Sequence, residues 1–182
     1  NSVAIGRLAL YAQDPASAVE MHNTAVGYAA GTAVTTGRLN TLIGGSAGSA
    51  TTTANNVTAV GASALSANTT GADITAVGAA TLATNTTGAS NTAVGYGALN
   101  ANTTAANNTG IGAYALVANT TGSENTAVGQ NAMDANTTGS ANVAVGQSAF
   151  GVNTTGGSNV AIGVDALNAN TTASNNTAVG KS

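Results

Sequence analysis

Five residues, Asn-Thr-Ala-Val-Gly or a close variant, recur every 17 residues along this chain. They start at Asn23 and return at Asn40, Val57, Ile74, Asn91, Asn108, Asn125, Asn142, Asn159 and Asn176. A strict period this short leaves few folds open. A 17-residue unit is too small to bury a core alone, so successive units must stack and share one. An earlier copy, Ser2 to Gly6, lies 21 residues before Asn23, so the first unit carries four extra residues between Arg7 and His22. That stretch holds the only proline, Pro15, along with Asp14, Glu20, Met21 and His22. The chain therefore divides into an irregular first coil, residues 1–22, acting as cap or junction, and a regular repeat over residues 23–182.

Taking Asn23 as position one, the unit reads N-T-A-V-G-x-x-A-L-x-A-N-T-T-G-x-x. Position five is glycine in every copy: Gly6, Gly27, Gly44, Gly61, Gly78, Gly95, Gly112, Gly129, Gly146, Gly163 and Gly180. A column this uniform marks a structural turn that needs positive φ or has no room for a side chain. Position four is always Val or Ile and position two Thr or Val, a period-two strand pattern. This alternation puts positions two and four inside the coil and position three, Ala in nine of eleven copies, outside. An outward column kept that small implies another chain pressed against it, and so a homo-oligomer. Position nine supplies bulk: Leu65, Leu82, Leu99, Leu116, Met133, Phe150 and Leu167. Two coils have Gly31 and Gly48 there instead, with Leu39 and Leu42 as candidate replacements. Position fifteen, Gly or Ala, suggests a second turn.

Recurrent glycine argues against helices, at about 1 kcal/mol each. Asn-Thr-Thr-Gly is turn and strand chemistry. The expected fold is all-β: a parallel β-solenoid, or β-roll, of about ten 17-residue coils, with two or three short strands in each. At about 4.8 Å per coil, ten periods make a rod about 48 Å long. Asn at positions one and twelve offers two ladders of stacked side-chain amides.

Composition supports stacking over a globule. Charged residues are 5 % and aromatics 3 % of the chain, which leaves too little bulk for an ordinary core. The three basic residues, Arg7, Arg38 and Lys181, make no patch for nucleic acid. There is no cysteine for disulfides or thiolate metal sites. No run approaches the roughly 18 apolar residues of a membrane helix.

The opening Asn1-Ser2-Val3-Ala4-Ile5-Gly6 resembles the signature of trimeric autotransporter adhesin heads. The N-T-A-V-G-Y-x-A-L-x-x-N-T-T-G repeat is similar to the shafts of phage tail fibres and related bacterial surface fibres. The resemblance covers nearly the whole chain. It implies a side-by-side homotrimer at a virion or cell surface, holding a tip that meets a host glycan or receptor through a region outside this chain. The coil is longer than in the adhesin heads, and no stalk, anchor or chaperone segment is recognisable.

Candidate chemistry is sparse. His22 lies near Asp14 and Glu20, and the expected role is a polar bulge. Asp73 and Glu124 share position seventeen, while Asp134 is at position ten and Asp165 at position seven, so the acids form no single column. Tyr28 and Tyr96 at position six and Tyr114 at position seven are candidate sugar-stacking or contact residues. Asn68, Asn85, Asn102, Asn119, Asn136, Asn153 and Asn170 each open an Asn-Thr-Thr sequon, hence possible glycosylation. The expectation is a non-enzymatic chain without catalytic residues, cofactor or metal: a structural or adhesive shaft segment of an extracellular fibre, serving as a stiff spacer. Two alternatives are a filament stacked end to end by β-augmentation, because neither end shows a polar cap, and an ice-binding solenoid presenting Thr at positions thirteen and fourteen.

Overall fold

The structure is a computed structural model, and it describes residues 1–14 and 20–182. It is a parallel β-solenoid. Eleven strands, β1 to β11, run Val3–Ile5, Thr24–Val26, Thr41–Ile43, Thr58–Val60, Thr75–Val77, Thr92–Val94, Thr109–Ile111, Thr126–Val128, Val143–Val145, Val160–Ile162 and Thr177–Val179. They form one sheet in chain order, each strand pairing in parallel with the next. From β2 onward every pairing joins residues 17 apart, as in Thr24 with Thr41 and Val26 with Ile43. Each coil contributes one three-residue strand, fewer than the two or three expected. The other positions are turns and bends that still bond to their neighbours coil by coil. Gly31 N–H donates to Ala47 C=O, and Gly44 N–H to Val26 C=O.

The faces of the strand are the reverse of the sequence expectation. Position three points in: Ala25, Ala59, Ala76, Ala93, Ala127, Ala144 and Ala161 are all 0 % exposed. Positions two and four point out. The reason is thickness. One strand and a looped return enclose so little space that a methyl group fills the inner side of the sheet. The larger β-branched side chains go outside, where successive rungs pack on one another about 4.8 Å apart. The small alanine column therefore reports a thin interior and not a neighbouring chain.

Each regular coil turns through left-handed residues. Position five carries φ near +130°, as in Gly27 at 134°, and a Cβ there would come within 2.6 Å of the Gly44 carbonyl oxygen. The column is glycine on both counts. Positions seven, nine and seventeen also have positive φ, mostly without glycine: Ser63 at 55°, Leu65 at 54° and Asp73 at 56° in one coil. Among the described residues, no β-branched residue occupies such a site, because branching at Cβ makes this conformation a true outlier. This explains why the bulk column at position nine uses Leu, Met and Phe, never Val or Ile. The conformation costs about 1–2 kcal/mol, and burying a Leu side chain returns about 1.5–3 kcal/mol. The tight corner after Thr-Thr falls at position seventeen. Position fifteen is small because its Cβ would face the same position of the next coil, as Gly37 faces the Ala54 carbonyl.

The core is position nine flanked by alanine at positions three and eight. Leu42 replaces the missing bulk in both glycine coils. Its Cδ1 lies 2.6 Å from where a Cβ on Gly31 would be, and its Cδ2 lies 2.7 Å from the same point on Gly48. Leu39 takes no part; it is 58 % exposed at a left-handed corner. In the first coil, Leu10 and Ala12 bond in register to Ala30 and Thr32, and Leu39 N–H reaches Met21 C=O. The four extra residues thus lie between Gln13 and Met21. Pro15 falls outside the described residues.

Candidate functional site

Inside the coil, every polar group expected to form a ladder is used by the fold. At position twelve, Asn85, Asn102, Asn119, Asn136 and Asn153 each donate Nδ2 to Oδ1 of the Asn one coil earlier, at 2.7–3.1 Å. The same Nδ2 donates to the position-fifteen carbonyl of its own coil, as Asn85 does to Gly88 at 2.9 Å. At position one, Oδ1 accepts the backbone N–H of the next position one, as Asn40 does from Val57 at 3.0 Å. Stacked amides of this kind satisfy backbone groups that the narrow interior would otherwise strand.

This accounts for the sequons. Asn68, Asn85, Asn102, Asn119, Asn136 and Asn153 are 0 % exposed with their amide nitrogens inside the ladder, and Asn170 is half-buried. A glycan on any of the six would have to displace the coil around it. The Asn-Thr-Thr triplets are accounted for by coil geometry. Threonine at position thirteen is likewise engaged. From Thr35 to Thr154, each hydroxyl donates to the carbonyl of the next position-thirteen threonine at 3.0–3.2 Å. Of these two columns, only position fourteen keeps its threonines outward, half of the array that an ice-binding reading of positions thirteen and fourteen needs.

The acidic and titratable residues stay dispersed. His22 Nε2 lies 2.7 Å from Glu20 Oε2, with the two side chains 48 % and 66 % exposed. Asp73 accepts from Asn56 Nδ2 at 2.9 Å. Burial raises the Asp134 carboxyl above its ordinary value, opposed in part by hydrogen bonds from its own backbone N–H and that of Ala135. Among the described residues, no three of His, Cys, Asp and Glu come together in a way that could hold a metal ion. Among the same residues, no helix is long and apolar enough to cross a membrane.

The outer face of the sheet is the feature that sequence reasoning placed on the wrong side. Position four forms a continuous Val and Ile row. Ile43, Val94, Ile111, Val145 and Ile162 are 36–40 % exposed in mid-rod despite packing on their neighbours. Beside it runs the position-two row, threonine from Thr24 to Thr126 and then Val143 and Val160. Together they make a flat β-branched band about 48 Å long. A band of that length and a strand's width is comparable to the largest apolar patches that monomers expose. The signal was present in sequence as two columns that stay β-branched without exception.

The chain matches no family model, no curated protein and no solved structure.

Proposed function

We propose that this chain is a structural and adhesive shaft segment of an extracellular fibre, a phage tail fibre or a bacterial surface appendage. In this reading it is a stiff spacer built as a side-by-side homotrimer. The observation that supports it is the unbroken Thr and Val/Ile band on the outer sheet face, which copies of the same chain, in the same register, are suited to cover. Rungs repeating at one spacing on each chain let three bands interlock along their whole length. The ordered amide and threonine ladders supply stiffness, because bending the rod would break the same bond in coil after coil.

Sedimentation of the purified chain tests this reading. The expected mass is three times 17.1 kDa. Placing aspartate at Val94 and Ile111 should dissociate the trimer, because three copies would bury those charges together. A monomer at micromolar concentration, or a trimer indifferent to both substitutions, would count against the packing. Indefinite filaments in electron microscopy would favour end-to-end stacking.

A further inference from the structure

Positions six and seven form a ridge around the glycine corner from the Thr/Val band. Its composition changes along the rod. From residue 45 to residue 80 it carries Gly45, Ser46, Ala62, Ser63, Ala79 and Ala80. From residue 96 to residue 147 it carries Tyr96, Gly97, Tyr114, Gln130, Asn131 and Gln147. Tyr96 and Tyr114 meet edge to face, ring centroids 5.3 Å apart at 84°, and are 55 % and 42 % exposed. Tyr114 is seated on the chain. Its Cδ1 and Cε1 lie 3.2 and 3.3 Å from where a Cβ on residue 97 would be. Gly97 is the one glycine at position seven, and it lies beneath the one aromatic residue at that position. Among the described residues, the side chains of Tyr96, Tyr114, Gln130, Asn131 and Gln147 make no hydrogen bond within the chain. Tyr28, on the same ridge, instead has the Arg7 guanidinium 5.8 Å from its ring centroid.

We infer that this ridge binds a neutral oligosaccharide along the shaft. A pyranose presents a face of C–H groups that packs on an aromatic ring, and a rim of hydroxyls that bond to amides. Two braced tyrosines followed by three unpartnered amides on successive rungs match that pairing, and tyrosine offers contact area at low entropic cost. Rungs advance by about 4.8 Å, a step comparable to one sugar residue of an extended chain. The ligand is neutral because no Lys or Arg lies between Arg38 and Lys181, whereas Glu124, Asp134 and Asp165 lie in these coils. The inference rests on the fibre reading only in that this ridge stays uncovered when the Thr/Val bands pack.

Native electrophoresis through gels containing a mixed-linkage β-glucan, a xylan, a galactomannan or dextran tests it, with polygalacturonate as the anionic comparison. The chain should be retarded by at least one neutral polymer and not by polygalacturonate. Tyr96→Ala and Tyr114→Ala should each weaken retardation up to about tenfold. Tyr96→Phe, which keeps the ring, and Tyr28→Ala, which lies on the ridge four coils before Tyr96 and away from the Tyr96–Gln147 stretch, should leave it unchanged. Passage through every neutral gel without retardation, equal retardation by polygalacturonate, or retention by both alanine variants overturns the inference. Sedimentation of the same samples separates the two readings. A trimer that ignores every neutral polymer removes the glycan ridge alone, whereas a retarded monomer removes the packing alone.

Discussion

Residues 23–56 and residues 91–175 build the same coil from different side chains. In the first pair of coils, position nine is Gly31 and Gly48, and Leu42 enters from position three to serve both. In the later coils, position nine fills its own space and position three stays at Ala or Gly. The hydrogen bonds show a similar exchange. The position-fifteen carbonyl accepts an Asn amide in every regular coil. In the first two the donor is position one, Asn23 to Gly37 at 2.8 Å and Asn40 to Ala54 at 2.9 Å. In the next two, where position one is Val57 or Ile74, the donor is position twelve, Asn68 to Gly71 and Asn85 to Gly88. From residue 91 onward both columns donate, as Asn125 and Asn136 do to Gly139. The coil thus fixes a volume to be filled and a carbonyl to be satisfied, and leaves open which column does either.

Leu42→Ala breaks this comparison most severely. One side chain fills two coils, so its loss should cost about 4–5 kcal/mol, near the top of the range for such truncations. Leu82→Ala, which empties one coil, should cost about 3 kcal/mol. Urea unfolding at one protein concentration reads the difference, and equal losses would mean that Leu42 does not serve both gaps. The amide exchange gives the next largest effect. Valine fits position one, as Val57 shows. Asn40→Val should cost about 2–4 kcal/mol, because it strands the Ala54 carbonyl and the Val57 N–H together. Asn125→Val should cost about 1–2 kcal/mol, since Asn136 still donates to Gly139 at 3.0 Å. If the two variants lose equal stability, the second amide column is not a reserve.

Much of this was legible in the sequence, and what was missed has a physical cause. The period gave the coil, the parallel register and both amide ladders, because each needs only that identical positions stack. The inward face was misread because β-branched columns usually mark a core. Here Ala25 and its equivalents face in because one strand and a return loop leave little room beside a filled position nine; only where Gly31 and Gly48 empty that position does a larger residue, Leu42, take the inward place. The left-handed residues at positions seven, nine and seventeen were hidden because Ser63, Leu65 and Asp73 are not glycine. Their only trace was the absence of β-branched residues from those columns. Leu42 was legible as an exception to the alanine column, and its partner candidate Leu39 was not needed, because one leucine reaches both gaps. The tyrosine ridge could be read as residues but not as a pair. That Tyr114 meets Tyr96 over Gly97 depends on adjacent rungs presenting positions six and seven side by side.

The smallest effect runs in the opposite direction and tests the same exchange at one atom. Thr51 stands at position twelve, where later coils carry a ladder Asn, and its buried Oγ1 has no hydrogen-bond partner. Asn40 already serves the carbonyl of that coil, so the hydroxyl has nothing left to bond. Valine fits there, since Val34 occupies the same position one coil earlier at 0 % exposure. Thr51→Val should therefore stabilise the chain by about 1 kcal/mol, by removing an unpaired buried hydroxyl. Thr81 is the matched control. It is equally buried, and its Oγ1 donates to the Gly95 carbonyl at 2.7 Å. Thr81→Val should lose about 1 kcal/mol. Urea midpoints moving apart in opposite directions would show that hydrogen-bond demand, and not side-chain volume, decides where this coil tolerates an apolar residue. A loss in both variants would place the cost in packing instead.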